Sequence, residues 1–227
     1  MLLVDGLWFS FNRKPWVVYN MALKPVGLGV AFFLDPLMLC GKESAVGWRE
    51  AIASMPLEPR KRIRGLVSDG FRGSKNVARE NGWVHQLCRF HLQGKLRGFT
   101  GCVQSTVPDR HVRRLAFELV CEVIKIPDEK LCTLLATALQ NCLVQLTRSR
   151  AVCGIVRQLL RDLQLYRSYL LHPELELPTT TNAVESMHSL LRKVASCVNN
   201  PQALLVRARS LLRLHPVMTC NPNYLQK

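Results

Sequence analysis

IRGLVSDGFRGSKNVARENGWVHQLC, residues 63–88, decides how this chain folds. Ile63 to Ser68 is a short apolar run that stops at Asp69–Gly70, the pattern of a buried strand closed by a turn. Ser74 to Asn81 then reads as a short helix, and Trp83 to Leu87 as a further strand. Strand, helix and strand in so short a span predict an α/β fold, with one carboxylate, Asp69, at the end of a buried strand.

Toward the N-terminus, Leu2 to Phe9, Pro15 to Met21 and Gly27 to Leu34 read as three strands with short connections, an antiparallel meander. Glu43 to Met55 reads as a helix, with Ala45, Val46, Trp48, Ile52 and Met55 roughly on one side. Beyond Arg89 helical periodicity takes over: His111 to Ile126, Asp128 to Thr147 and Ala151 to Leu171, with Asp128 as an N-cap. His172 to Pro178 breaks the pattern. A helix capped by Thr181 or Asn182 runs to about Val194, and a last one from about Pro201 to Leu214. The order β-β-β-α-β-α-β followed by helices is that of a ribonuclease H-like mixed sheet. The expected organisation is a catalytic core of residues 1–98 and 179–227, with an all-helical insertion at 99–178 ahead of Glu185.

The chain has 227 residues, 48% of them hydrophobic, enough for one large domain or one domain with a sizeable insertion and against wholesale disorder. Its formal net charge of +15 calls for a polyanionic partner, and nucleic acid is the commonest one. Arginine outnumbers lysine about two to one, which suits bidentate phosphate contacts. No basic amphipathic helix stands apart to serve a membrane surface. The longest uncharged stretch, Cys132 to Thr147, carries Gln140, Asn141 and Gln145 and is too short and polar to span a bilayer. The start MLLVDG lacks the basic and apolar regions of a secretory signal. Nine scattered cysteines, an odd number mostly in apolar settings, read as reduced core residues of a cytoplasmic protein.

Three carboxylates stand out. Asp5 lies inside the apolar run MLLVDGLWF, where an unpaired carboxylate is costly to bury, so a structural reason alone is hard to find. Asp69–Gly70 by itself is also a common turn pair, and Glu185 by itself an ordinary helix glutamate. Together, two strand-borne aspartates and one helix-borne glutamate suit a divalent-metal site for phosphodiester chemistry, because hard cations take oxygen ligands. Arg60, Lys61, Arg62 and Arg64 form a basic run before the Asp69 strand. Arg192 and Lys193 lie two turns beyond Glu185, and Arg207 and Arg213 mark the last helix. Collectively these are the expected phosphate footprint. Asn182 is expected to cap the Glu185 helix, whose start is also hospitable to phosphate. Cys88 and His91 have the spacing of half a zinc site, but Cys102 and His111 do not supply the other half.

VSDGFRGSKNVARENGWVHQLCRFHLQGKLRG, with its W-x-x-Q-x-C-x-x-H built from Trp83, Gln86, Cys88 and His91, resembles the DDE transposases of the Mutator superfamily and their bacterial insertion-sequence relatives. VDGLWF around Asp5 and TTTNAVES around Glu185 are similar to the same family, in the same order. The resemblance implies a ribonuclease H-like core and a catalytic, metal-binding triad of Asp5, Asp69 and Glu185. It implies two Mg²⁺ ions, for which Mn²⁺ can substitute, and Cys88 and His91 near the site. The implied reaction is cleavage at transposon ends followed by attack of the freed 3′-hydroxyl on target DNA, by a homo-oligomer on DNA at the bacterial nucleoid.

Asp5 stands four residues after Met1, whereas the family carries a sizeable DNA-binding region ahead of the first aspartate. A fragment, or a truncated, inactive remnant that only binds DNA or a partner transposase, is therefore the competing expectation. A ribonuclease H-like nuclease acting on other substrates is a third.

Overall fold

The computed structural model describes residues 1–97, 110–146 and 150–220. The chain divides into two compact units: Met1–Cys88 with His172–Lys227, and Arg89–Leu171. The helical unit thus begins and ends earlier than the 99–178 read from the sequence.

The first unit is α/β, built on a seven-stranded mixed sheet. Its strands are β1 (Leu2–Phe11), β2 (Lys14–Leu23), β3 (Val30–Phe33), β4 (Leu37–Cys40), β5 (Gly65–Ser68), β6 (Val84–Leu87) and β7 (Val217–Thr219). The order across the sheet is β6-β5-β1-β2-β3-β7, with β4 also paired to β2. β1, β2 and β3 form the expected antiparallel meander, while β5 runs parallel to both β1 and β6. Three helices join these strands: α1 (Ala45–Ala53), α2 (Leu57–Lys61) and α3 (Ser74–Glu80).

Both faces of the sheet are covered, which is why β1 reads as a largely apolar run on both faces. Leu2 and Val4 point to a core shared with Trp48, Ile52, Val77 and Ala78 of α1 and α3. Trp48 is fully buried, stacks on Phe71 with ring centroids 5.2 Å apart, and meets Tyr19 edge-on at 4.9 Å. Its indole N–H donates to Glu43 at 2.8 Å, satisfying the one polar atom it buries. Leu3 and Leu7 point to the opposite face, which receives the apolar stripes of two later helices.

The second unit, taken by itself, is helical: α4 (Arg89–Arg97), α5 (Arg110–Val123), α6 (Glu129–Leu146), α7 (Arg150–Arg161), α8 (Leu163–Tyr166) and α9 (Ser168–Leu171). Asp128 caps α6 as expected, its carboxylate accepting from the Leu131 N–H at 2.6 Å. Ala151 to Leu171 is three helices, not one. The breaks fall at Asp162 and Arg167, whose backbones leave the helical region. Arg167 is fully buried and donates to the carbonyls of Ile126 and Pro127 at 2.6 and 3.2 Å, a tertiary tie that periodicity does not reveal.

Back in the first unit come α10 (Asn182–Ala195) and α11 (Pro201–Leu214). Asn200 caps α11 by accepting from the Ala203 N–H at 2.8 Å, with Pro201 in the first turn. Among the described residues the cysteines are thiols; Cys88 and Cys132 are buried, Cys121, Cys153 and Cys220 are half-buried, and Cys40 and Cys197 are exposed. No helix among the described residues is long and apolar enough to cross a membrane.

Strands β4 and β7 and helices α2 and α4 are additions to the sequence reading. Each is short, and the two strands owe their pairing to edges of β2 and β3. Replacing Trp48 by Ala should lower stability by about 3–5 kcal/mol, the cost of removing a fully buried indole. Urea denaturation of the two proteins measures it.

Candidate metal centre

Strand parity and register bring the two aspartates together. On β1, Asp5 lies two residues beyond Leu3 and so points to the same face. On β5, Val67 points to that face too, and Asp69 follows two residues later. Leu3 pairs with Val67 in the parallel ladder, so the register carried forward sets Asp5 beside Asp69. Carboxylate oxygens of the two come within 4.8 Å of one another.

The turn that carries Asp69 is held locally. The Asp69 carboxylate accepts from the Phe71 N–H at 3.0 Å, and Gly70 adopts φ +87°, a backbone that favours glycine. The Ser68 hydroxyl accepts from the Gly70 N–H at 3.3 Å and lies 2.9 Å from His85 Nε2, tying the turn to β6.

Glu185 comes from the first turn of α10. Ala183, Val184, Met187 and Leu191 of that helix are buried on the sheet, and Glu185 sits at the border of this stripe with 19% of its side chain exposed. It reaches within 4.8 Å of Asp5, together with His188. The start of α10 is anchored by Cys88 at the end of β6. The Cys88 sulfur accepts from both the backbone N–H and the hydroxyl of Thr181 at 3.3 Å. The N-cap position is Thr181, without a side-chain cap bond, and Asn182 is the first helical residue and buried, which corrects the expected Asn182 cap. Thr181 is spent on Cys88, so the capping role is replaced by a tertiary contact.

Two residues of this cluster were not singled out from the sequence. Asn20 is the cross-strand partner of Asp5 on β2 and is buried. His188 follows Glu185 by one helical turn and is 2% exposed. His188 Nε2 lies 3.0 Å from Asn20 Nδ2, while Nδ1 lies 3.9 Å from Asp5 Oδ2 and 3.8 Å from Glu185 Oε2. The signals were present: a polar residue in the apolar run WVVYNMAL, and a Glu-x-x-His spacing on one helix face.

Asp5 is common to two neighbourhoods, one with Asp69 and one with Glu185 and His188, and carboxylate donors of this kind suit Mg²⁺ or Mn²⁺, which favour oxygen-rich coordination. Crowded carboxylates repel when ionised, and a bound cation favours the ionised forms.

His91 lies on α4 of the helical unit, its ring edge-on to Phe90 at 5.8 Å. Cys102 and the side chain of His111 lie outside the described residues. Arg192 and Lys193 are exposed in the last turn of α10, and Arg192 follows Glu185 by two turns, about 10 Å along the same face. Arg60, Lys61, Arg62 and Arg64 precede β5, whereas Asp69 follows it, at the opposite end of that strand. Lys61 pairs with Glu58 at 3.2 Å, and Arg60 donates to the Ala53 carbonyl at 3.4 Å. Arg62 and Arg64 help line a cavity of about 460 Å³ with Met1 and Leu23. Arg207 donates to the Cys197 carbonyl at 3.4 Å, and Arg213 ends α11.

No protein-family model matches this chain, and no curated protein matches it.

Cys88→Ala removes the acceptor of two buried Thr181 donors and should cost about 1–3 kcal/mol. The loss is measured by urea denaturation. Metal affinity should fall with it, because Thr181 starts the helix that carries Glu185.

Proposed function

We propose that this chain is the catalytic core of a DDE transposase of the Mutator superfamily, with a ribonuclease H-like fold. It acts on DNA as a homo-oligomer, cleaving transposon ends and joining the 3′ end to target DNA. The observation that carries the reading is Asp5, within 4.8 Å of Asp69 from the adjacent parallel strand and within 4.8 Å of Glu185 from the helix laid over the same face. The mixed sheet, with an antiparallel meander followed by two parallel strands, supports it. So does the net charge of +15.

Asp5 and Asp69 would hold divalent cations from rigid strands, and Glu185 would complete the site from a helix. Two such cations activate an oxygen nucleophile and neutralise the charge that grows on the phosphodiester. The residues themselves do the positioning. Asp69 is fixed by its turn, and Glu185 is fixed through Thr181 and Cys88. Arg192, farther along the Glu185 face, suits a phosphate of the bound strand.

Asp5→Ala, Asp69→Ala and Glu185→Ala should each lower Mg²⁺-dependent nicking and strand transfer by more than about 100-fold, beyond the loss expected for residues outside the ligand shell. Gel assays on DNA carrying the ends of the element measure it. Activity that survives all three changes sinks the proposal. Salt-sensitive DNA binding with no cleavage by the unaltered protein indicates the inactive remnant, and cleavage without joining indicates a nuclease.

Arg192→Ala should weaken DNA binding evenly across sequences and reduce the slope of log affinity against log salt by about 1. Fluorescence anisotropy over a salt series reads the slope.

A further inference from the structure

We infer that His188 is itself a metal ligand through Nδ1, together with Asp5 and Glu185, and that this imidazole biases the centre toward Mn²⁺ over Mg²⁺. The inference rests on the metal-site half of the proposed function.

Three observations converge on His188. Its Nδ1 lies 3.9 Å from Asp5 Oδ2 and 3.8 Å from Glu185 Oε2. Both separations are too long for hydrogen bonds. Ligands held at about 2.1 Å from one cation stand about 3 Å apart when adjacent and about 4.2 Å apart when opposite, so both separations fall within the range of groups sharing an ion. Next, His188 is 2% exposed, and its position one turn after Glu185 holds it on the Glu185 side of α10. Last, its far nitrogen is engaged. Nε2 lies 3.0 Å from the amide of Asn20, which is 1% exposed and anchored on β2 opposite Asp5.

The Asn20 amide decides which imidazole nitrogen faces the carboxylates with a lone pair. With Asn20 Nδ2 donating to Nε2, the neutral ring carries its proton on Nδ1, and Asn20 Oδ1 accepts no hydrogen bond among the described residues. A half-turn of that amide places Oδ1 against Nε2–H and leaves the Nδ1 lone pair facing Asp5 and Glu185. It gives up only the long 3.4 Å contact from Asn20 Nδ2 to the Val18 carbonyl. A ligating histidine whose other N–H donates to a carbonyl oxygen is the usual second layer of a metal site. Asn20 is then a positioning residue for His188. Imidazole suits Mn²⁺ and later transition ions, whereas Mg²⁺ prefers an all-oxygen shell.

The test is Mn²⁺ bound to the full chain, followed by pulsed electron paramagnetic resonance and by titration of Mn²⁺ and Mg²⁺ alone. Nitrogen modulation from a directly bound imidazole is expected in the unaltered protein, and its disappearance in His188→Asn. His188→Asp should shift the Mn²⁺-to-Mg²⁺ affinity ratio toward Mg²⁺ by about tenfold or more. Asn20→Leu should weaken Mn²⁺ binding by about 10–100-fold. Mn²⁺ binding that Asp5→Asn abolishes, but that shows no nitrogen coupling, overturns the role of His188 and leaves the carboxylate site standing. Failure of the unaltered protein to bind Mn²⁺ at all overturns both. The spectrum of the unaltered protein decides the question even if a variant fails to fold.

Discussion

The parallel pairing of β1 with β5 is the constraint on which the site depends. Leu2 pairs with Leu66 and Leu3 with Val67, and the two pairs are buried on opposite faces of the sheet. A slip of one residue would turn every one of these to the wrong face. The register that satisfies the two cores also brings the carboxylates of Asp5 and Asp69 within 4.8 Å. Two full charges at that separation repel by about 3–4 kcal/mol at the effective dielectric of a protein site. A bound cation would relieve such a repulsion.

Helix α10 shows how one segment serves packing and chemistry together. Val184, Met187, His188 and Leu191 follow helical spacing and are buried against the sheet. Glu185 stands at the edge of this stripe, close enough to reach Asp5 yet partly open. The start of the helix is set by a thiol and a threonine, not by a capping side chain of its own. Cys88 therefore acts on Glu185 through the position of the helix.

Some of this was legible along the chain and some was not, for reasons that differ by residue. Asp5 was conspicuous because burying a lone carboxylate in an apolar strand is costly. Asn20 sits in just such a run, but an amide costs less to bury and drew no attention. His188 was hidden as one polar residue on a helix of mixed character. Asp128 and Pro201 marked helix starts correctly because capping is local. Arg167 could not be foreseen, since its carbonyl partners at Ile126 and Pro127 lie about 40 residues back.

Apolar patterning and local turn chemistry by themselves determined the strands β1, β2, β5 and β6 and the helices α1, α3, α6, α10 and α11, and composition set the strongly basic character of the chain. Those properties depend on neighbours within a few residues, and the sequence contains them in full. The order of strands in the sheet, the meeting of Asp5 with Asp69, and the Asn20–His188 pair behind them were decided only by the tertiary structure. Each requires segments far apart in sequence to pack in one register, and that register is chosen by the simultaneous burial of both faces of the sheet.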